Sequence, residues 1–111
     1  MNVKLMQGDS FPIFIHLTQG GYVLTPDMVD DLEVCVGDSL QLLYSSGEVH
    51  FYEPKQYWYI WPTQAQTFEL EAGSNKVEVR VKYKNQELSG VKGYTLQDKI
   101  KVYDTESTEV L

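Results

Sequence analysis

Hydrophobic and polar side chains alternate at every second position through much of this chain. The alternation is most regular over residues 76–83, where an apolar set interleaves with a charged set: Val77, Val79, Val81 and Tyr83 against Glu78, Arg80 and Lys82. Successive side chains of a β-strand point to opposite faces of the sheet. The pattern therefore predicts a strand with one face in the core and one in solvent.

Similar patterns predict a series of further short strands. They lie at residues 3–5, 11–17, 22–24, 32–36, 40–44, 49–51, 57–61 and 99–103. Pro12 lacks a backbone N–H, so its strand should begin there or lie at a sheet edge. Glycine-rich or polar turns separate the strands at 8–10, 20–21, 37–38, 45–47 and 85–86, and the turn at 45–47 is expected to close a hairpin. Seven to nine short strands with regular turn signals predict a sandwich or a barrel.

Helical signals are confined to two short segments. Residues 62–68 can form one turn with Thr63 as the N-cap, and residues 25–29 can form another. Neither segment is long enough to build a layer of the fold. We therefore predict an all-β protein with at most one or two short helical turns, in a single domain spanning residues 1–111. Its polar end, residues 104–111, is expected to fray unless Val110 and Leu111 dock on another surface.

The most unusual segment is residues 57–61, where five bulky side chains follow one another. They are Tyr57, Trp58, Tyr59, Ile60 and Trp61. In a strand, either Tyr57, Tyr59 and Trp61 or Trp58 and Ile60 must lie outside the core, unless another layer covers them. One interpretation is a central strand whose tyrosine hydroxyls reach solvent. The other is an exposed aromatic surface, with Tyr57, Trp58, Tyr59 and Trp61 as candidate interface residues.

Composition and charge exclude several classes of partner. The 111 residues are 42% hydrophobic and 23% charged, the balance of a soluble globular domain, and the net charge is −7. An acidic surface repels nucleic acid and anionic membranes, so neither is an expected partner. The sequence has no apolar run of the ~20 residues that a membrane-spanning helix needs. Its first residues do not resemble a signal peptide, so we expect the chain to be made in a cytoplasm.

The chain offers few residues for catalysis or metal binding. His16 and His50 alternate with apolar neighbours, so both are expected on the solvent side of their strands. Cys35 is the only cysteine and is expected to be a small core or strand residue, with a reactive thiol as the alternative. Asp30, Asp31 and Glu33 could attract calcium weakly, but consecutive carboxylates on a strand point to opposite faces. We predict no catalytic, cofactor-binding or metal-binding residue; a carboxylate pair assembled only by the fold is the enzymatic alternative left open.

Several stretches resemble one protein family. Gln7-Gly8-Asp9-Ser10 before Phe11-Pro12-Ile13 resembles its "QGD(T/S)" opening, and residues 61–68 resemble its "LTQEET" segment. Residues 76–83 are similar to its long charged strand, and residues 99–102 with the closing Val110-Leu111 resemble its end. The family comprises small phage and prophage proteins of Firmicutes, similar to the N-terminal immunoglobulin-like domain of phage baseplate upper proteins. This chain departs from the pattern at Pro62, at 65–66 (Ala-Gln for two acids) and at 84–86, which replaces an Asp-Gly turn.

The resemblance implies an immunoglobulin-like antiparallel β-sandwich and a non-enzymatic role in a phage baseplate or tail. It implies contacts with other phage or virion proteins, leaves a homo-oligomer open, and carries over no catalytic residue or cofactor. The expected location is then the bacterial host cytoplasm during assembly, with entry into the virion left open. The alternative is a carbohydrate- or peptide-binding module that uses the aromatic residues at 57–61.

Overall fold

Two β-sheets face each other across one apolar core. The computed structural model describes residues 3–19, 21–84, 91–106 and 110–111. The strands are β1 (Val3–Met6), β2 (Ile13–Ile15), β3 (Thr18–Gln19), β4 (Tyr22–Val23), β5 (Val29–Val36), β6 (Leu40–Leu43), β7 (Val49–Tyr52), β8 (Tyr57–Ile60), β9 (Gly73–Tyr83) and β10 (Val91–Tyr103). A 3₁₀ turn (Pro26–Met28) precedes β5, and helix α1 (Gln64–Phe68) follows β8. None of the described helices is long and apolar enough to cross a membrane.

The strand order is that of an immunoglobulin-like sandwich. The larger sheet has the order β1-β10-β9-β5-β6, the smaller sheet has the order β2-β8-β7, and β3 and β4 form a separate hairpin. Strands β10, β9, β5 and β6 correspond to the G, F, C and C′ strands of immunoglobulin domains, and β2, β8 and β7 to B, E and D. The predicted all-β sandwich with two short helical turns is confirmed. One detail was wrong, because β1 pairs with β10 in parallel and the larger sheet is mixed rather than antiparallel.

The core is built from the positions that alternate inward. Val77, Val79 and Val81 of β9 are buried, as predicted. They pack with the inward residues of the other strands: Leu5, Ile13, Ile15, Leu32, Val34, Val36, Leu40, Leu42, Val49, Trp58, Ile60, Ile100 and Val102. Strand β2 begins directly after Pro12 and lies at the edge of its sheet, which confirms both expectations for that proline.

The turn at residues 45–47 does not close a hairpin. Strands β6 and β7, which it joins, belong to different sheets, so the chain crosses the sandwich here. Asp31 holds this crossing, because its carboxylate accepts hydrogen bonds from the Ser45 backbone N–H (3.0 Å) and hydroxyl (2.8 Å). Alternation predicts which face of a strand is buried but not which sheet it joins, so the pattern could not distinguish the crossing from a hairpin.

Helix α1 starts where the sequence predicts. Thr63 is its N-cap: the Thr63 hydroxyl accepts from the Gln66 backbone N–H, and the Gln66 side chain accepts from the Thr63 N–H (2.8 Å). This reciprocal pair is a capping box, which satisfies two backbone donors at the start of a helix.

Two other predictions fall on residues that the structure does not describe: the turn at 85–86, and residues 107–109 of the segment 104–111 that was expected to fray. The backbone N–H of Leu111 donates to the Gln64 side chain (2.8 Å).

Candidate functional site

Ring-bearing side chains cover the outer face of the smaller sheet. Phe14 lies opposite Tyr59, Tyr59 lies opposite His50, and Tyr57 lies opposite Tyr52. With His16, which follows β2, six rings form this outer aromatic face: Phe14, His16, His50, Tyr52, Tyr57 and Tyr59. The three strands contain no Asp, Glu, Lys or Arg. The face is therefore aromatic throughout and carries no permanent charge within its strands.

The structure resolves which side of residues 57–61 is exposed. Tyr57 and Tyr59 are half-buried on the outer aromatic face, and Trp61, just beyond the end of β8, is 54% exposed. Trp58 and Ile60 point inward and are fully buried. The inclusion of Trp58 among the candidate interface residues was therefore wrong. Its neighbours across the sheet, Ile15 and Phe51, alternate into the core with it.

Trp58 is an anchor of the core. Its indole N–H donates to the Leu24 carbonyl at 2.8 Å, which satisfies the one polar atom of the side chain. Tyr44 and Phe51 pack edge-on against the indole, with ring centroids at 5.3 and 5.1 Å. Burying so large a ring is favourable because its N–H is paired.

Phe14 is the centre of the outer aromatic face. It is 51% exposed, although it contacts three tyrosine rings. Its centroid lies 5.6 Å from Tyr59, 6.3 Å from Tyr57 and 6.1 Å from Tyr52. Because Phe14 is on β2 and Tyr52 is on β7, this contact links the two edge strands of the sheet. All three pairs are tilted by 50–59°, and their centroid distances fall in the range of about 4.5–7 Å that aromatic pairs favour.

Both histidines belong to this face. His16 contacts Tyr57 edge-on at 5.2 Å, and His50 stacks on Tyr59 at 5.0 Å with an interplanar angle of 27°. Their predicted outward orientation is confirmed. The sequence pattern indicated plain surface residues at both positions, however, and did not identify Phe14 and Tyr52 as members of a site. A signal for Phe14 was present, since an aromatic residue occupies the solvent-side position between Ile13 and Ile15.

Cys35 and Asp31, which the sequence analysis considered for reactivity and for calcium binding, form hydrogen bonds with neighbouring residues of the fold. Cys35 lies on β5, and its thiol contacts the Glu33 carboxylate at 3.3 Å. Partial burial and that carboxylate raise the pKa of the Cys35 thiol to about 11, so the thiolate is scarce at neutral pH. Asp31 holds the Ser45 turn, as described above. Among the residues that the structure describes, no three His, Cys, Asp or Glu side chains form a group that could hold a metal ion.

Two motifs of the family resemblance pack against each other. The Gly8 backbone N–H donates to the Thr67 hydroxyl (2.9 Å), and that hydroxyl donates to the Asp9 carbonyl (2.8 Å). Gln64 donates to the Gly8 carbonyl (3.0 Å) and Ser10 to the Pro62 carbonyl (2.8 Å). These bonds fix the crossing from β1 to β2 onto α1. Both motifs therefore contribute to the fold, and the exposed rings lie elsewhere.

Comparison of the chain with protein-family models, with curated proteins and with solved structures gave no match in any of the three.

Proposed function

We propose that this chain is a non-enzymatic docking domain that binds a partner protein through the outer aromatic face, as a baseplate- or tail-associated part of a phage. One observation carries the docking role: Phe14 is half-exposed at the centre of three tyrosine rings, on a sheet whose strands carry no charged residue. Packing of the core does not require these rings to lie together on the outer face of the smaller sheet.

The chemistry of the face suits a protein partner. Protein interfaces have centres rich in Tyr, Trp and Phe and poor in charged residues. Phe14 supplies an apolar anchor, and the tyrosines around it combine apolar rings with hydroxyls that can form hydrogen bonds. A few such residues usually carry most of the binding energy. The three strands are short, so this face would supply only the centre of an interface. The rim of the interface would extend onto the surrounding loops.

The phage assignment is supported by the resemblance of residues 7–13, 61–68, 76–83 and 99–102 to small phage and prophage proteins. The expected partners are accordingly other phage or virion proteins.

The second candidate function is a carbohydrate- or peptide-binding module, and the exposed indole of Trp61 favours it. Ring geometry favours the docking role over a sugar platform. The Phe14 ring is tilted by at least 50° from each tyrosine it contacts, so these rings do not form the flat surface on which a sugar would stack.

Photo-crosslinking from a photoreactive residue incorporated into the chain tests the docking role. A photoreactive benzoylphenylalanine replaces Tyr52, which is 42% exposed at the edge of the face, and the protein is irradiated in the phage-producing host. We expect a covalent adduct with a tail or baseplate protein, identified by mass spectrometry. In the Phe14→Ser background the adduct should fall at least tenfold, because the interface loses its central apolar anchor.

The matched control places the same photoreactive residue at Tyr22, which is 76% exposed on the β3–β4 hairpin, outside the three strands that carry the outer aromatic face. It should give no adduct with that partner. Equal adducts from positions 22 and 52, or an adduct from position 52 that persists in Phe14→Ser, would contradict the proposal. Glycan binding that quenches Trp61 fluorescence, without any protein adduct, would favour the second candidate.

A further inference from the structure

Two histidines flank the outer aromatic face on opposite sides. The six rings form two rows of three across the smaller sheet: Phe14, Tyr59 and His50 in one row, and His16, Tyr57 and Tyr52 in the other. Each row therefore has a tyrosine of β8 at its centre and a histidine at one end. One histidine lies on β7 and the other directly follows β2, which are the two edge strands of the sheet.

Each histidine packs against the tyrosine at the centre of its row. The His50 ring stacks on Tyr59, with centroids 5.0 Å apart, and the His16 ring meets Tyr57 edge-on at 5.2 Å. His16 is exposed and His50 is half-buried, so water can hydrate both imidazoles in the free chain, whether they are neutral or protonated. A partner that covers these rings would remove that water.

The segments that carry the face contain few permanent charges. Residues 10–26 include no Asp, Glu, Lys or Arg, and residues 49–61 include only Glu53 and Lys55, which have opposite charges and lie on the β7–β8 turn. Glu48, directly before β7, accepts a hydrogen bond from a backbone N–H of β6 at 3.4 Å. The strands of the face therefore offer no carboxylate to pair with a protonated histidine.

The charge of this face depends on pH through its two histidines. Histidine is the side chain that ordinarily changes its charge between pH 5 and 8. The other titratable groups within the face are tyrosines, which ordinarily stay neutral in that range. The face is thus uncharged when both imidazoles are neutral, and it gains up to two positive charges on acidification.

Covering the face is compatible with neutral imidazoles but not with protonated ones. Burying a charge without a counter-charge costs far more than burying a neutral polar group that can form a hydrogen bond. A partner that fits the neutral face therefore binds the protonated face less well. By linkage, its affinity is complete above the pH range in which the histidines titrate. The affinity falls below that range, by up to about tenfold per pH unit for each histidine that must stay neutral.

We propose that His16 and His50 make docking on the outer aromatic face pH-dependent: the face binds its partner while both imidazoles are neutral and releases it when they are protonated. The inference rests on the docking role proposed above and names its regulation. Changes in the charge of histidines at an interface are an established way of switching a contact between pH 5 and 7.

Crosslinking at two pH values tests the switch. The chain with benzoylphenylalanine at position 52 is titrated into clarified lysate of the phage-producing host at pH 7.5 and at pH 5.5. We expect the concentration that gives half-maximal adduct with the tail or baseplate partner to rise at least tenfold at pH 5.5. In the variant that also carries His16→Gln and His50→Gln it should change less than twofold, because glutamine stays neutral. Circular dichroism at both pH values confirms that each variant is folded.

A permanent charge at the same place gives an independent check. His50→Lys should raise the half-maximal concentration at least fivefold already at pH 7.5, whereas Tyr22→Lys, on the β3–β4 hairpin, should leave it within twofold. Wild-type docking that is equal or stronger at pH 5.5 would overturn the switch and leave the docking role standing. So would a loss at pH 5.5 that the glutamine variant shares. No adduct at either pH would instead contradict the docking role, and the switch with it.

Discussion

Replacing Trp58 with alanine is expected to lower the free energy of unfolding by about 3–5 kcal/mol, the usual cost of removing a buried tryptophan. The Trp58 side chain is fully buried, and the Tyr44 and Phe51 rings would lose the surface they pack against. The Leu24 carbonyl would also lose its hydrogen bond from the indole. Urea denaturation followed by far-UV circular dichroism measures the loss.

Trp61→Ala is the matched control, because the same side chain is removed three residues along the chain. Trp61 is 54% exposed and has already left β8, so its removal should cost less than about 1 kcal/mol. Equal losses in the two variants, or a larger loss for Trp61→Ala, would mean that the inward and outward sides of this segment are wrongly assigned.

Gly8→Ala is expected to destabilise the chain by about 2–4 kcal/mol through two effects. Gly8 has a φ of +92°, a region that costs any other residue roughly 1–2 kcal/mol. A Cβ at this position would also lie 2.6 Å from the Phe68 ring, which α1 holds against the loop. The Thr67 and Gln64 bonds to Gly8 would be strained as the ring or the loop moved. Thermal and urea unfolding measure the change.

Gly21→Ala separates the two effects. Gly21 has a similar φ of +83°, but no heavy atom lies within 4 Å of the position a Cβ would take. Its replacement should therefore cost only the backbone part, roughly 1–2 kcal/mol. If Gly8→Ala cost no more than Gly21→Ala, the contact between the first motif of the family resemblance and Phe68 would contribute nothing to stability.

Alternation is enough to predict the interior of this fold. Val77, Val79 and Val81 are separated by charged residues, so only one assignment of faces places the charges in water. Residues 57–61 offer no such contrast, because both sets of side chains are large and largely apolar. The structure resolves the choice through register: Trp58 is aligned with Ile15 and Phe51, and its N–H can reach the Leu24 carbonyl.

The composition of the outer aromatic face could not be read from the sequence. Phe14, His50 and Tyr59 come from three separate segments and meet only through the order and register of β2, β8 and β7. The charges of the larger sheet raise the same difficulty, since Lys4 and Lys101 are adjacent only because β1 pairs with β10 in parallel. Net charge alone predicts an acidic surface and does not show that two lysines lie side by side.

Strand β8 buries Trp58 and presents Tyr57 and Tyr59 on the exposed face that Phe14 and Tyr52 complete. Photochemically induced nuclear polarisation can check this arrangement, because a dye in solution enhances the NMR signals only of those Trp, Tyr and His rings that it can touch. We expect clear enhancement for Trp61 and Tyr52 and none for Trp58. Enhancement of Trp58, with Trp61 and Tyr52 silent, would mean that the buried and exposed sides of β8 are reversed.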